Sequence, residues 1–205
     1  MAEISINKQA KLSEHLTLSS AAALSHSCVP TVASDQRSSA SELDGSRLSP
    51  HFTLGELTKS RHAEVYNIPS HVAIENLKRV CGWLEELRRR YNLRYVCGSV
   101  SPPKLGGEID TEEPIIISSG YRSQELNKKV GGSPTSNHLT GCAVDIRVYG
   151  VEQAMRYAVI LMDYADETKQ DYDELLIERN RSGGYWLHFA VRPKDNRRKT
   201  KFLQK

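Results

Sequence analysis

The segment Ser136–Asp145, "SNHLTGCAVD", places an imidazole, His138, and a carboxylate, Asp145, seven positions apart, with a glycine and small residues between them. Two such groups at the ends of a tight segment suit a metal site, which then needs a third ligand from elsewhere in the chain. His188 is the candidate. In "YWLHFAV" strand alternation puts Trp186, His188 and Ala190 on one face and the greasy set Tyr185, Leu187, Phe189 and Val191 on the other. In "AVDIRVY" the same alternation separates Asp145 and Arg147 from Val144, Ile146 and Val148. A carboxylate and a histidine from two strands, with a second histidine from the preceding loop, give three N/O donors. Three protein ligands and one open position is the usual layout of a catalytic zinc. A polar network satisfied within the sheet is the alternative, and spacing leaves both open. His15, His26, His51, His62 and His71 lie before the strand-rich half and read as surface or capping residues.

The elements that must position these groups follow from periodicity. Ile74, Leu77, Val80, Cys81, Leu84 and Leu87 recur at helical spacing, so residues 71–91 read as an amphipathic helix with Ser70 as its N-cap. Arg88, Arg89 and Arg90 close it favourably for the helix dipole. "IIISSG" reads as a short buried strand. "SQELNKKVGG" reads as a short helix capped by Ser123 and stopped at Gly131. "VEQAMRYAVILMDYADE" reads as a second long helix, and "DELLIERN" and "YWLHFAV" as strands joined by the turn "RNRSGG". Strands and helices mix without a regular βαβ beat, which predicts an α+β fold: an antiparallel sheet with flanking helices.

The 205 residues suffice for one domain with additional chain. Residues 1–47 are rich in Ser, Ala and Asp and read as a poorly ordered N-terminal segment and linker; the folded domain is expected over 48–205. "LSEHLTLSS" at 12–20 echoes "LSPHFTLGE" at 48–56, a single short echo that does not make a structural repeat. "CGSVSPPKLGGEIDTEEP" has the prolines, glycines and acids of a loop or insertion. A net charge of +3 is too weak to argue for nucleic acid. The basic tail "RPKDNRRKTKFLQK" lacks aromatics to stack on bases and reads as solvated. Cys28, Cys81, Cys97 and Cys142 form no C-x-x-C pair, which argues against a cysteine zinc site and does not demand disulfides. No run reaches the roughly 18 apolar residues of a membrane span. The N-terminus shows no apolar stretch after a basic start, so a secretory signal is not expected.

Together these pieces resemble the zinc D-alanyl-D-alanine carboxypeptidases and their relatives, among them the dipeptidases of vancomycin resistance and phage L-alanyl-D-glutamate endolysins. "SNHLTGCAVD" fits S-x-H-x-x-G-x-A-x-D, and "WLH" follows about forty residues later. "IIISSGYRS", "DELLIE", "LSPHFTLGELTKS" and the late "NRR" are similar to the subgroup described as the C-terminal peptidase domain of that family. The likeness covers roughly Leu48 to Lys199. It implies a fold of the hedgehog and DD-peptidase type, and zinc held by His138, Asp145 and His188. It further implies a substrate carboxylate or carbonyl met by Arg122, with Ser136 and Trp186 as substrate contacts and Gly141 permitting the tight turn. The expected partner is a peptidoglycan peptide, cut by a monomer that binds no nucleic acid. Without an export signal the protein would be cytoplasmic before release and act at the cell wall or periplasm, whether host- or phage-encoded.

One position departs from the family. Many members carry Glu or Asp three residues before the last histidine, where this chain has Tyr185. A hairpin with Asn180–Gly184 as its loop would pair Arg179 with Tyr185 and Glu178 with Trp186. Glu178 would then lie one diagonal from His188, at roughly 6–8 Å, as the candidate general base. Glu174 shares that face further along, and Asp173 faces the other way by strict alternation unless it precedes the strand. A catalytically inactive zinc-containing wall-binding module is the alternative.

Overall fold

The computed structural model describes residues 45–96 and 112–204. The N-terminal segment with its echo, His15, His26, Cys28, Cys97 and the loop 97–111 lie outside the described residues.

A short helix, α1 (Leu54–Thr58), opens the fold. Its capping box is complete: the Thr53 hydroxyl accepts from the Glu56 amide while the Glu56 carboxylate accepts from the Thr53 amide. Phe52, Leu54 and Leu57 are buried. Ser49 and His51 both reach Glu85 on the next helix, pinning the segment to it. That helix, α2 (His71–Tyr91), has the bounds and Ser70 cap that its periodicity predicts, and it buries Leu77, Val80, Cys81, Leu84 and Leu87. The chain continues through a single π turn, Asn92–Val96. After β1 (Ile117–Ser119) come α3 (Gln124–Lys129), a 3-10 turn at Asn137–Thr140 and β2 (Ala143–Arg147). Helix α4 (Val151–Thr168) precedes β3 (Glu174–Arg179), β4 (Tyr185–Ala190) and β5 (Lys199–Gln204).

The strands form one five-stranded sheet in the order β1-β2-β4-β3-β5. Val144, Ile146, Leu175, Leu187 and Phe189 turn one face into the core shared with α2 and α4. The opposite face carries the polar residues of the site. The sheet is mixed, which corrects the antiparallel expectation: β5 pairs parallel to β3. The basic tail, read from the sequence as solvated, supplies this strand as "KTKFLQ", which has no apolar face in its alternation. No residue of β5 is fully buried. Its place comes from main-chain pairing along β3, with lysines on an edge strand that also discourage a further strand from joining. Cys81 and Cys142 are free and buried. Among the described residues no helix is long and apolar enough to cross a membrane.

Candidate metal centre

Pairing of β2 with β4 sets Asp145 directly opposite His188. Both stand on the sheet face turned away from the core. His138 joins them from the 3-10 turn, and five contacts fix that turn. The Ser136 side chain accepts from the His138 amide. The His138 carbonyl accepts from the Arg122 amide at 3.1 Å. Asn76 donates to the Thr140 carbonyl at 2.9 Å. Asn137 donates to Asp173 at 2.7 Å and to Glu174 at 3.1 Å. Gly141 then ends the turn in the left-handed region with φ 72°, where a side chain is strained. A Cβ there would also stand 2.4 Å from the Ala73 carbonyl oxygen of α2. The glycine in the motif is thus required twice, by its dihedral and by the close helix.

The three side chains converge on one oxygen. The His138 Nδ1–H donates to the Gly120 carbonyl at 2.6 Å, which turns Nε2 inward to 3.3 Å from Asp145 Oδ1. His188 Nδ1 lies 2.9 Å from the same Oδ1. Arg122 holds the other oxygen, with Nη2 2.5 Å from Oδ2, and its own Nε is fixed on Ser119 Oγ at 2.8 Å. The donor atoms of His138, Asp145 and His188 lie within 4.8 Å of one another. Two imidazoles and one carboxylate, with His138 and Asp145 each oriented by a hydrogen bond on the far side and His188 by an ion-pair contact with Glu174, suit a divalent cation of the zinc type. The residues fit such an ion, and the group can hold a metal.

Electrostatics agree. Burial would raise the Asp145 carboxyl, but His138, through charge and hydrogen bond, and then His188 hold it well below the usual carboxylate range. Burial presses His138 downward, so this imidazole is the neutral one. Burial also works against a charged His188, yet its contacts with Asp145 and Glu174 prevail and push it up to about 9. The metal-free folded state therefore keeps a proton that an unfolded histidine releases near pH 6.5. That proton's stabilisation is fully present below about 6.5 and is lost as pH rises through about 9. A metal on the same nitrogens takes the proton's place. The denaturation midpoint of metal-free protein should fall between pH 6.5 and 9, and one equivalent of zinc should remove that fall. Identical pH profiles with and without zinc would refute a shared proton and metal site.

The group lies in an open cavity of about 690 Å³ whose walls include Arg122, Ser136, Glu174, Glu178 and Trp186. The structure thus brings Arg122, Ser136, His138, Asp145, Glu178, Trp186 and His188 to one place. The hairpin register pairs Arg179 with Tyr185, Glu178 with Trp186, and Leu176 with His188. Tyr185 belongs to the opposite face and packs against the core. Glu178 is buried at 4% exposure among the cavity residues.

Three features escaped the sequence reading. Glu174 is not further from His188 than Glu178: each is two residues along β3 from Leu176, which pairs with His188, and Glu174 Oε2 stands 3.6 Å from His188 Nε2, an ion-pair contact. Arg197 and Lys199 belong to the cavity wall, and Lys199 Nζ binds Glu174 at 2.7 Å. Asp173 precedes β3, one of the two placements its sequence position allows, but its surroundings were not indicated: it is fully buried, held by Arg192, Arg197 and Asn137. The equal diagonals were available from the hairpin alignment itself; the wall residues depended on where β5 docks.

An α+β domain with a buried His–Asp–His group at the floor of an open cavity has the layout of a metallohydrolase. Comparison with known families narrows this: the family model described as Peptidase M15 matches residues 107–170. The match supports that peptidase family. It includes Arg122, Ser136, His138 and Asp145 and ends before Glu174, Glu178 and His188, which the fold supplies. No curated protein matches the chain.

Proposed function

We propose that the chain is a zinc-dependent peptidase that hydrolyses peptidoglycan stem peptides, as a carboxypeptidase or an endopeptidase, with residues 48–205 as the peptidase unit. The observation that carries this reading is the convergence of His138, Asp145 and His188 on a cavity that also holds a buried carboxylate, Glu178. Zinc held by the three would lower the pKa of a bound water toward 7 and polarise the scissile carbonyl.

The protein's own groups do the rest. Arg122 clamps Asp145 Oδ2 and keeps Oδ1 turned to the two imidazoles. The Gly120 carbonyl fixes the His138 tautomer. Glu178 takes the proton from the attacking water and returns it to the leaving nitrogen. Arg122 also borders the cavity, where its guanidinium meets a substrate carboxylate or carbonyl, and Trp186 and Ser136 line the substrate's path. The protein works as a monomer at the cell wall or periplasm.

Mass spectrometry of peptidoglycan fragments after digestion with zinc-loaded protein tests the reading. New fragments shortened at one peptide bond, absent when zinc is chelated, are expected. An unchanged fragment pattern across all zinc-loaded digests would reject it.

A further inference from the structure

The catalytic cavity does not end at the metal group. Arg122 and Val130 line both the cavity and a second hollow of about 210 Å³ beside β1. A third hollow of about 330 Å³ shares Lys59, Arg61 and Ser118 with the second and reaches Arg147. A trough therefore runs from the metal group past Arg122 and along β1. Strand β1 is the edge of the sheet, with no strand on its outer side among the described residues.

The charge along this trough is unbalanced. Lys59, Arg61 and Arg147 are exposed. None of them forms an ion pair with an acid among the described residues. Other cations do hold acids, among them Arg88, Arg90 and Arg94. Two acids close by are already engaged, Glu64 with Lys129 and His62, and Asp145 with Arg122.

We propose that this trough is a substrate subsite that binds an extended peptide by its carboxylates and draws it along the open edge of β1 toward the metal group. The proposal rests on the peptidase reading and adds the substrate class: acidic peptides over neutral ones. An open edge strand recognises an extended main chain. Guanidinium groups beside it recognise carboxylates through charge-assisted hydrogen bonds. A phosphate backbone would also meet the cations, but it has no use for a strand edge or for a cavity built around a peptidase centre.

The test uses zinc-loaded full chain and two pentapeptides acetylated on both amines, L-Ala-γ-D-Glu-L-Lys-D-Ala-D-Ala and its analogue whose glutamate carboxylate is a carboxamide, called acidic and neutral after that one position. Turnover and equilibrium binding by calorimetry are both measured. The acidic peptide should bind roughly ten-fold more tightly, about one charge-assisted contact at a partly solvated site. Added salt should erode the difference. The triple variant Lys59→Ala, Arg61→Ala, Arg147→Ala should abolish the preference by raising KM for the acidic peptide, with kcat and the neutral peptide unaffected. These residues are exposed, so the variant should fold. If the preference appears in binding while neither peptide is cut, the subsite stands and the peptidase reading falls. Equal affinities, or a preference that survives the triple variant, would overturn the subsite and leave the peptidase reading to its own test. Displacement of the acidic peptide by a short oligonucleotide at equal concentration would also overturn it.

Discussion

Replacing His138 with alanine is expected to strip zinc from the protein and to lower peptide hydrolysis by more than a hundred-fold. Partners that merely orient a metal's ligands are typically worth about 10–100-fold in affinity or activity, and His138 would be a ligand itself. Its Nε2 faces Asp145 Oδ1 because Nδ1 is committed to the Gly120 carbonyl. Nothing else on the 3-10 turn can offer a donor there. The substitution also leaves that buried carbonyl without its partner, at a cost of about 1–3 kcal/mol. Zinc content, far-UV circular dichroism and turnover must therefore be read on the same sample. A folded variant that has lost both metal and activity supports the assignment. Full activity in a metal-free His138→Ala protein would sink it.

How much of this was legible in the sequence depended on whether a residue's place is set locally. Helix α2 was readable to its bounds because a continuous apolar stripe and Ser70 define it. The pairing of Glu178 with Trp186 was readable because a five-residue loop fixes the hairpin register. His138, Asp145 and His188 stood out as polar residues at loop and strand positions whose neighbours are core. Strand β5 was not legible: Lys199–Gln204 has no apolar face, with Lys199 and Lys201 on one side of its alternation and Thr200 and Gln204 on the other, and it is placed by pairing with a strand twenty-five residues earlier, beginning with Glu174 opposite Lys199. The partners of Glu174 were hidden for the same reason. A carboxylate's neighbours across a sheet follow from strand order, and strand order is a property of the whole fold. Asp173 shows the converse: its buried charge is tolerable only because Arg192 and Arg197, some twenty residues later, return to it.

The choice of proton acceptor turns on that hidden strand. Glu174 and Glu178 lie on the same face of β3, each a diagonal away from His188. They differ in company. Glu174 is held by His188, and further by Lys199 and Arg197, far below the usual carboxylate range. A base works best with a pKa near the operating pH. Lys199 at 2.7 Å and Arg197 at 3.1 Å keep their hold on Glu174 when a metal replaces the His188 proton, so this carboxylate takes a proton poorly and serves as an anchor for the His188 ring. Glu178, buried in the cavity wall, is left as the acceptor for the proposed reaction. Glu178→Gln should therefore keep zinc at wild-type content and lower kcat by about 10²–10⁴-fold. Glu174→Gln should keep turnover at saturating zinc and weaken zinc affinity by about 10–100-fold. Zinc titrations monitored by competition with a chelating dye, run beside turnover at saturating metal, separate the two effects. The reverse pattern would move the base to Glu174. A Glu178→Gln protein that turns over at the wild-type rate would show that this carboxylate has no part in the proton transfer. A zinc-replete wild-type chain that cuts nothing would favour the wall-binding module over the enzyme, because the metal group would then be complete and the chemistry still absent.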